Sequence, residues 1–466
     1  MKKKKPPKKR SSPVHETGTA PHFNQPTAPT VLPKTGAASN VARVAFTTSR
    51  ELEFFTESEL TTQIGYRKGL WPLVVAKELI DNAIDACETA GTGAIEIVVQ
   101  LDKDSISVSD HGPGLSGKTI KVVLDYSSRI SDKKHYIAPT RGQLGNALKC
   151  VIAAPFVATG KTSVIEIASR GRRHTIAIEL DRIAQKPKII YTKAGESEGI
   201  GTFLQIHWPE VSRYFTSNWP DLYQFDSLHE AVAALIDDYR VFNPHVSFTF
   251  NGKRRAATSP EWQKWRTDQP TSAHWYRPED LRGLIAAHIT ERDMPVRDFI
   301  SNFAGLARNQ VRAEVLTAAG VKGTHLSDLV RGDDVDMAAV RRLLDAIQKH
   351  SKPVQPKRLG IIGEDHLKRY VESLGGNNAK YHKKAFVDKD GLPVVLEIAF
   401  ATKADAEEGS RRMFGLNWSP VFKIPSGEIG EAISGCQVES DDPVILLIHA
   451  ARPRFEFTDH GKAALA

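Results

Sequence analysis

Apolar residues recur along residues 71–91 at helical spacing: Val74, Val75, Leu79, Ile80, Ala83 and Ile84 form one stripe. This predicts a helix with one buried face. Upstream, residues 49–66 carry the paired Phe54 and Phe55 and predict a short helical entry. Downstream the period changes to two. Runs at 94–102 and 105–110, split by Lys103 and Asp104, predict a hairpin. Runs at 163–171, 173–181 and 199–208 predict further strands of one sheet with helices on one face; 226–241 predicts a helix, and 246–253 a last strand and turn. After about residue 270 the pattern is helical throughout. Val296, Phe299, Ile300 and Phe303 keep that spacing, 307–321 reads as a helix ended by Gly320, and Val340, Leu343, Leu344 and Ile347 repeat it. Beyond Pro353 and Pro356 the alternation returns, with a helix at 363–373 and strands at 382–388, 393–401 and 444–450.

This order predicts an α+β chain in four parts: a tail at 1–42, an α/β unit at 43–265, a helical module at 270–352 and a second α/β unit at 353–466. The tail is rich in Pro, Thr, Ser, Ala and Lys without periodicity, which predicts disorder. Its opening MKKKKPPKKR carries much of the formal net charge of +8 and lacks the apolar core of a secretory signal. It suits either a nucleic-acid-neutralising arm or a solubilising tail. No run approaches a membrane span. Cys87, Cys150 and Cys436 are odd in number and widely spaced, which fits a reduced, cytoplasmic setting without disulfides or a thiolate metal site.

On the predicted helix, Glu78 and Asn82 stand one turn apart on one side. A carboxylate there can orient and deprotonate a water, and an amide oxygen can hold a hard cation such as Mg²⁺. At the end of the 105–110 strand, Asp110 is followed by His111, Gly112, Pro113 and Gly114. A strand-end carboxylate beside glycines can accept a hydrogen bond from an exocyclic amine such as that of adenine. Residues 141–149, Arg-Gly-Gln-Leu-Gly-Asn-Ala-Leu-Lys, place glycines ahead of a helix, where free N–H groups suit an anion. Gly201 and Thr202 open a strand, and the Thr202 hydroxyl is expected to support Asp110 directly or through water. The turn at Gly171, flanked by Arg170, Arg172 and Arg173, reads as a solvated hairpin tip.

Taken in order, these motifs resemble the GHKL ATPases, the superfamily of gyrase B, Hsp90, MutL and histidine kinases. The nearer resemblance is to the B subunits of the type IIB topoisomerases, topoisomerase VI. It rests on SRELEFF, KELIDNAIDACETAG, LDYSSR ahead of RGQLGNALK, the helical insert, LGIIGEDHL and FTDHGKAALA, and spans roughly residues 45–466. It implies a Bergerat-type ATPase domain, a helix-two-turn-helix module and a transducer domain of ribosomal-S5 type. Glu78 then matches the general base, Asn82 the Mg²⁺ ligand, and Asp110, Gly112, Gly114 and Thr202 the adenine-binding positions. Ser128, Arg129, Gln143, Leu144, Gly145, Asn146, Ala147, Leu148, Lys149 and Cys150 match the lid and phosphate-binding positions, and Lys462 the transducer lysine that reaches the γ-phosphate of ATP.

The resemblance further implies ATP-driven homodimerisation, duplex DNA as substrate, and a topoisomerase VI A-like or Spo11-like cutting protein as partner, with no membrane. Two departures stand out. Ala147 replaces the last glycine of the family's GxxGxG, so either a less tightly closing lid or a loop already helical there is expected, and Arg129 stands where the family often has Lys. The chain also stops four residues after Lys462, short of the family's long C-terminal helix. The alternative reading is a scaffold with little or no ATPase that dimerises a Spo11-like partner.

Overall fold

The helix that the stripe predicts is the centre of the larger sheet layer. The computed structural model describes residues 50–456 except 92, 127–134, 142–146, 182, 184–185, 198, 217–224, 261, 267, 322, 404–409 and 423–441. After α1 (Glu57–Ile64), α2 (Trp71–Ala90) has Pro72 in its first turn and closes on Gly91, whose positive φ of 62° gives the left-handed cap. Phe54 and Phe55 are buried against Tyr126.

The hairpin follows as β1 (Ile95–Asp102) and β2 (Ser105–Asp110), with Val98 opposite Ser109. Then come α3 (Gly117–Val123), α4 (Ala147–Thr159), β3 (Ser163–Ser169), β4 (Arg172–Asp181), β5 (Lys186–Glu196), β6 (Thr202–His207), α5 (Leu228–Phe242), β7 (Val246–Phe250) and β8 (Lys253–Arg255). The described strands make an eight-stranded sheet in the order β5-β4-β3-β6-β2-β1-β7-β8. Every pairing among them is antiparallel except β1 with β7. Side chains of β1, β3 and β6 alternate between buried and more exposed, and the buried face packs under α2, α4 and α5.

The chain leaves this layer through β9 (Gln263–Lys264) and returns through β12 (Gly360–Ile361), which pairs with it antiparallel. Between them lie α6 (Pro278–Arg292), α7 (Val296–Ile300), α8 (Asn309–Ala319), the short β10 (Val330–Arg331) and β11 (Asp334–Val335), and α9 (Met337–Lys349). Their shared core contains Trp265, Trp275, Phe299, Phe303, Leu343 and Ile347. Gly320 ends α8 in the left-handed conformation, as its position predicts.

The last part holds α10 (Glu364–Ser373), β13 (Gly376–Val387), β14 (Pro393–Lys403), β15 (Arg411–Leu416), β16 (Ser419–Pro420) and β17 (Val444–Ala451). They form a sheet ordered β13-β14-β17-β15-β16. The Ile-Ile-Gly run before α10 is held by Glu397, whose carboxylate accepts the N–H groups of Ile362 and Gly363 and pairs with His449 at 3.0 Å. This sheet meets α5 where the Phe242 ring lies against Gly415; a β-carbon there would come within 2.6 Å of the ring. The architecture is α+β, and among the described residues no helix is long and apolar enough to cross a membrane.

Candidate functional site

The two sides of α2 carry two different kinds of polar chemistry. On one, Glu78 is half-buried and Asn82 exposed, and neither side chain makes a hydrogen bond or ion pair among the described residues. Ala86 is the next residue in that row. Gly112 packs on it so closely that a β-carbon would sit 3.0 Å from Ala86 Cβ and 3.0 Å from Asp110 Oδ1. A small residue on the helix and a glycine in the turn thus bring the end of β2 onto the Glu78–Asn82 row.

Asp110 is buried at that strand end. Its Oδ1 accepts the backbone N–H groups of Gly112 at 2.7 Å and Thr202 at 3.2 Å, which leaves Oδ2 without a donor among the described residues. Burial pushes its carboxyl above the ordinary 3.8, and the two amides and His111 only partly oppose this. The expected Thr202 hydroxyl contact is replaced by its backbone N–H, because β2 and β6 pair with Asp110 opposite Thr202.

The approach of β6 depends on Gly201. It has φ +97°, and a β-carbon there would lie 1.9 Å from the Asp110 carbonyl oxygen. Gly114, at φ +73°, sits against Ser169, whose Oγ accepts Leu115 N–H and donates to the Gly201 carbonyl. Arg170 is exposed at the hairpin tip, as expected, and from there donates from Nε to the carbonyls of Pro113 and Gly114, both at 3.1 Å. It pins the turn.

Helix α4 is described from Ala147 onward and packs on α2. Ala147 and Leu148 are half-buried. Lys149 and Cys150 point into the interior, with Lys149 donating to the Asp125 carbonyl and the Tyr126 hydroxyl donating to the Lys149 carbonyl at 3.1 Å. Ser128, Arg129, Gln143, Leu144, Gly145, Asn146 and Lys462 lie outside the described residues.

The neighbouring face of α2, about 100° round the helix, is a buried ionic ladder that motif reading missed. Lys77 donates to Asp81 at 2.7 Å and to Ser419 Oγ at 2.8 Å, and Ser419 in turn donates to Asp81 at 2.9 Å. Arg141 grips Glu88 with both terminal nitrogens, at 2.8 and 2.9 Å, and Asp85 at 2.6 Å, and it also donates to Asn243. Lys264 reaches Glu88 at 2.6 Å, and His245 stands 3.0 Å from it. Burial pushes the Glu88 carboxyl up, but Arg141, Lys264 and the His245 hydrogen bond outweigh it and hold it well below 4.5. Burial likewise opposes the charge on Lys77, yet Asp81 and Glu78 raise its ammonium above 10.5. The signal was present in the sequence: Asp81, Asp85 and Glu88 fall in helical phase with Lys77 on a stripe that is otherwise apolar.

No family model matches the chain. It is similar to the B subunit of type 2 DNA topoisomerase 6 from Archaeoglobus fulgidus, 23% identical over 454 residues covering 89% of this chain and 69% of that protein. The protein of the same name from Methanosarcina barkeri is 23% identical over 425 residues, covering 84% and 65%. A shorter match, 31% identical over 210 residues, links 43% of this chain to 24% of its Natronomonas pharaonis namesake. The chain thus spans about two thirds of the first relatives' length. Among solved structures it aligns with a mutant MutL ATPase domain of Aquifex aeolicus at 12% identity over 83% of this chain and 92% of that one; the TM-score of 0.32 is too low to support an assignment.

Proposed function

We propose, from the premise that this chain is a homologue of the topoisomerase 6 B subunits, that it binds and hydrolyses ATP as the B-type component of a type IIB DNA topoisomerase. The observation that carries the reading is Asp110: one carboxylate oxygen is fixed by two backbone amides, the other has no donor among the described residues, and the turn that holds them rests on the Glu78–Asn82 row. Asp110 Oδ2 accepts an exocyclic amine, the recognition an adenine requires. Glu78, half-buried beside Asn82, orients an attacking water and takes its proton.

The residues fit a magnesium–nucleotide complex. No group of three or more His, Cys, Asp or Glu placed to hold a metal ion occurs among the described residues, and one amide oxygen from Asn82 suits Mg²⁺, which keeps waters and phosphate oxygens as its other ligands. Bound there, Mg²⁺ would supply charge neutralisation at the phosphates. The resemblance assigns phosphate contacts to Ser128, Arg129 and 143–150, and γ-phosphate sensing to Lys462. In this reading two copies dimerise on binding ATP, and the nucleotide state of the dimer gates duplex DNA passage through breaks made by an A-like partner.

The test is ATP turnover by the purified chain over a concentration series, beside Glu78→Ala. Turnover per chain that rises with concentration and vanishes in the variant is the expected result. Nucleotide binding without turnover in either protein would replace this reading with that of a scaffold for a Spo11-like partner.

A further inference from the structure

The helical module does more than interrupt the chain between the two sheets. Residues 135–138, which precede the glycine-bearing stretch ahead of α4, are built into it. Ile137 and Ala138 are buried in the module's core. The Ile137 N–H donates to the Tyr276 hydroxyl at 2.9 Å, that hydroxyl donates to the His135 carbonyl at 3.1 Å, and Thr271 Oγ1 donates to the Ile137 carbonyl at 2.6 Å. On α6, Gly283 faces the His135 ring, where a β-carbon would lie 3.3 Å from Nδ1, and His288 Nε2 is 2.8 Å from the Tyr136 hydroxyl. Burial pushes the His288 imidazole below 6.5. Three residues further on, Arg141 is locked to Asp85 and Glu88 of α2.

We propose that Thr271 and Tyr276 are positioning residues for the nucleotide site: the helical module holds residues 135–138 from one side while α2 holds Arg141 from the other, and this double grip sets how the chain enters α4. The inference rests on the nucleotide-binding reading above. It makes the module's grip on residues 135–138 and nucleotide affinity linked quantities, so each strengthens the other. An isolated buried amide makes the grip specific, since Ile137 N–H has no water to turn to if the Tyr276 hydroxyl is lost.

The test is Thr271→Val/Tyr276→Phe, which removes the hydroxyls and keeps the bulk, including the edge contact of Tyr276 with Phe303. Two quantities are read: affinity for a non-hydrolysable ATP analogue, and hydrogen exchange of the peptide over 135–141. Expected are a roughly five- to twentyfold weaker affinity, faster exchange in the variant, and slower exchange in the natural chain when the analogue is added. Val315→Ala, which opens the module's core on α8, serves as comparison and should lower stability while leaving affinity within about twofold. Equal weakening by Val315→Ala would overturn the proposal, because the effect would then be loss of stability alone. A natural chain that binds analogue, loses it in Asp110→Asn, and keeps it unchanged in the double variant would overturn the proposal and leave the nucleotide reading standing. A natural chain that binds none overturns both.

Discussion

Replacing Arg141 with methionine keeps most of the volume and removes a guanidinium that pairs with both Asp85 and Glu88. Removing one partner from a buried ion pair costs about 3–5 kcal/mol. Here Glu88 keeps Lys264 at 2.6 Å and His245 at 3.0 Å, and Asp85 loses its 2.6 Å contact with Arg141. Much of the compensation for Glu88 survives, which points to the lower end, about 3 kcal/mol. For the compact unit Thr48–Ala466, at ~2.1 cal/mol/K per residue, that corresponds to a fall in Tm of about 3–4 °C.

Lys118→Ala is the reference, since it removes an exposed pair with Glu291 at 3.4 Å and should cost under about 1 kcal/mol. The pH dependence adds a sign. Glu88 is held well below 4.5, so its contribution is complete above that value and is lost as pH falls through the depressed folded value. In Arg141→Met the Glu88 carboxyl takes up a proton more readily, so the gap between the two proteins is widest near pH 7 and narrows on acidification. Thermal unfolding followed by circular dichroism at pH 7, 5 and 4 measures it. A gap no larger than that of Lys118→Ala, or one that widens toward pH 4, would refute the ladder as a stabilising element.

Asp110→Asn should weaken nucleotide affinity by at least about tenfold through loss of a charge-assisted bond. Because burial raises the Asp110 carboxyl, affinity in the natural chain should fall on acidification with a midpoint above 3.8, while the Asn variant shows no such step; titration calorimetry from pH 4 to 8 decides it. Gly201→Ala must separate β6 from the Asp110 carbonyl and adopt an unfavourable φ, costing about 1–3 kcal/mol, and binding should suffer more than overall stability. An unchanged affinity in that variant would mean the close approach does not shape the site. Lys462→Ala should slow hydrolysis and spare binding in steady-state and equilibrium assays, and a normal rate would remove the lysine from the mechanism.

What could be read from the chain depended on how local the cause was. The α2 stripe, its glycine cap and the glycines around Asp110 are short-range features, and each led to its element directly. The ladder was half visible, because the phase of Lys77, Asp81, Asp85 and Glu88 is local, but the identity of Arg141, Lys264 and Ser419 as partners is set by tertiary packing. Strand β5 escaped notice because Lys186, Pro187, Lys188 and Lys193 obscure its alternation, as expected for an edge strand. Helix α6 escaped because its buried Leu281, Leu284 and Ile285 sit among charges on every side. Arg170 and Thr202 were noticed for their side-chain chemistry alone, and their actual contacts follow from how the ends of β3, β4 and β6 converge on one turn.

The ladder along α2 also limits how this molecule can change shape. A rod clamped at Lys77, Asp81, Asp85 and Glu88 by groups from three distant stretches of sequence cannot rotate by a residue or slip by a turn without stranding charge away from water. It is the stationary axle of the molecule. Any change of shape then falls to what is attached to the axle, the strands leading to Ser419 and Lys264, and leaves the Glu78–Asn82 row, carried on the same rod, in place.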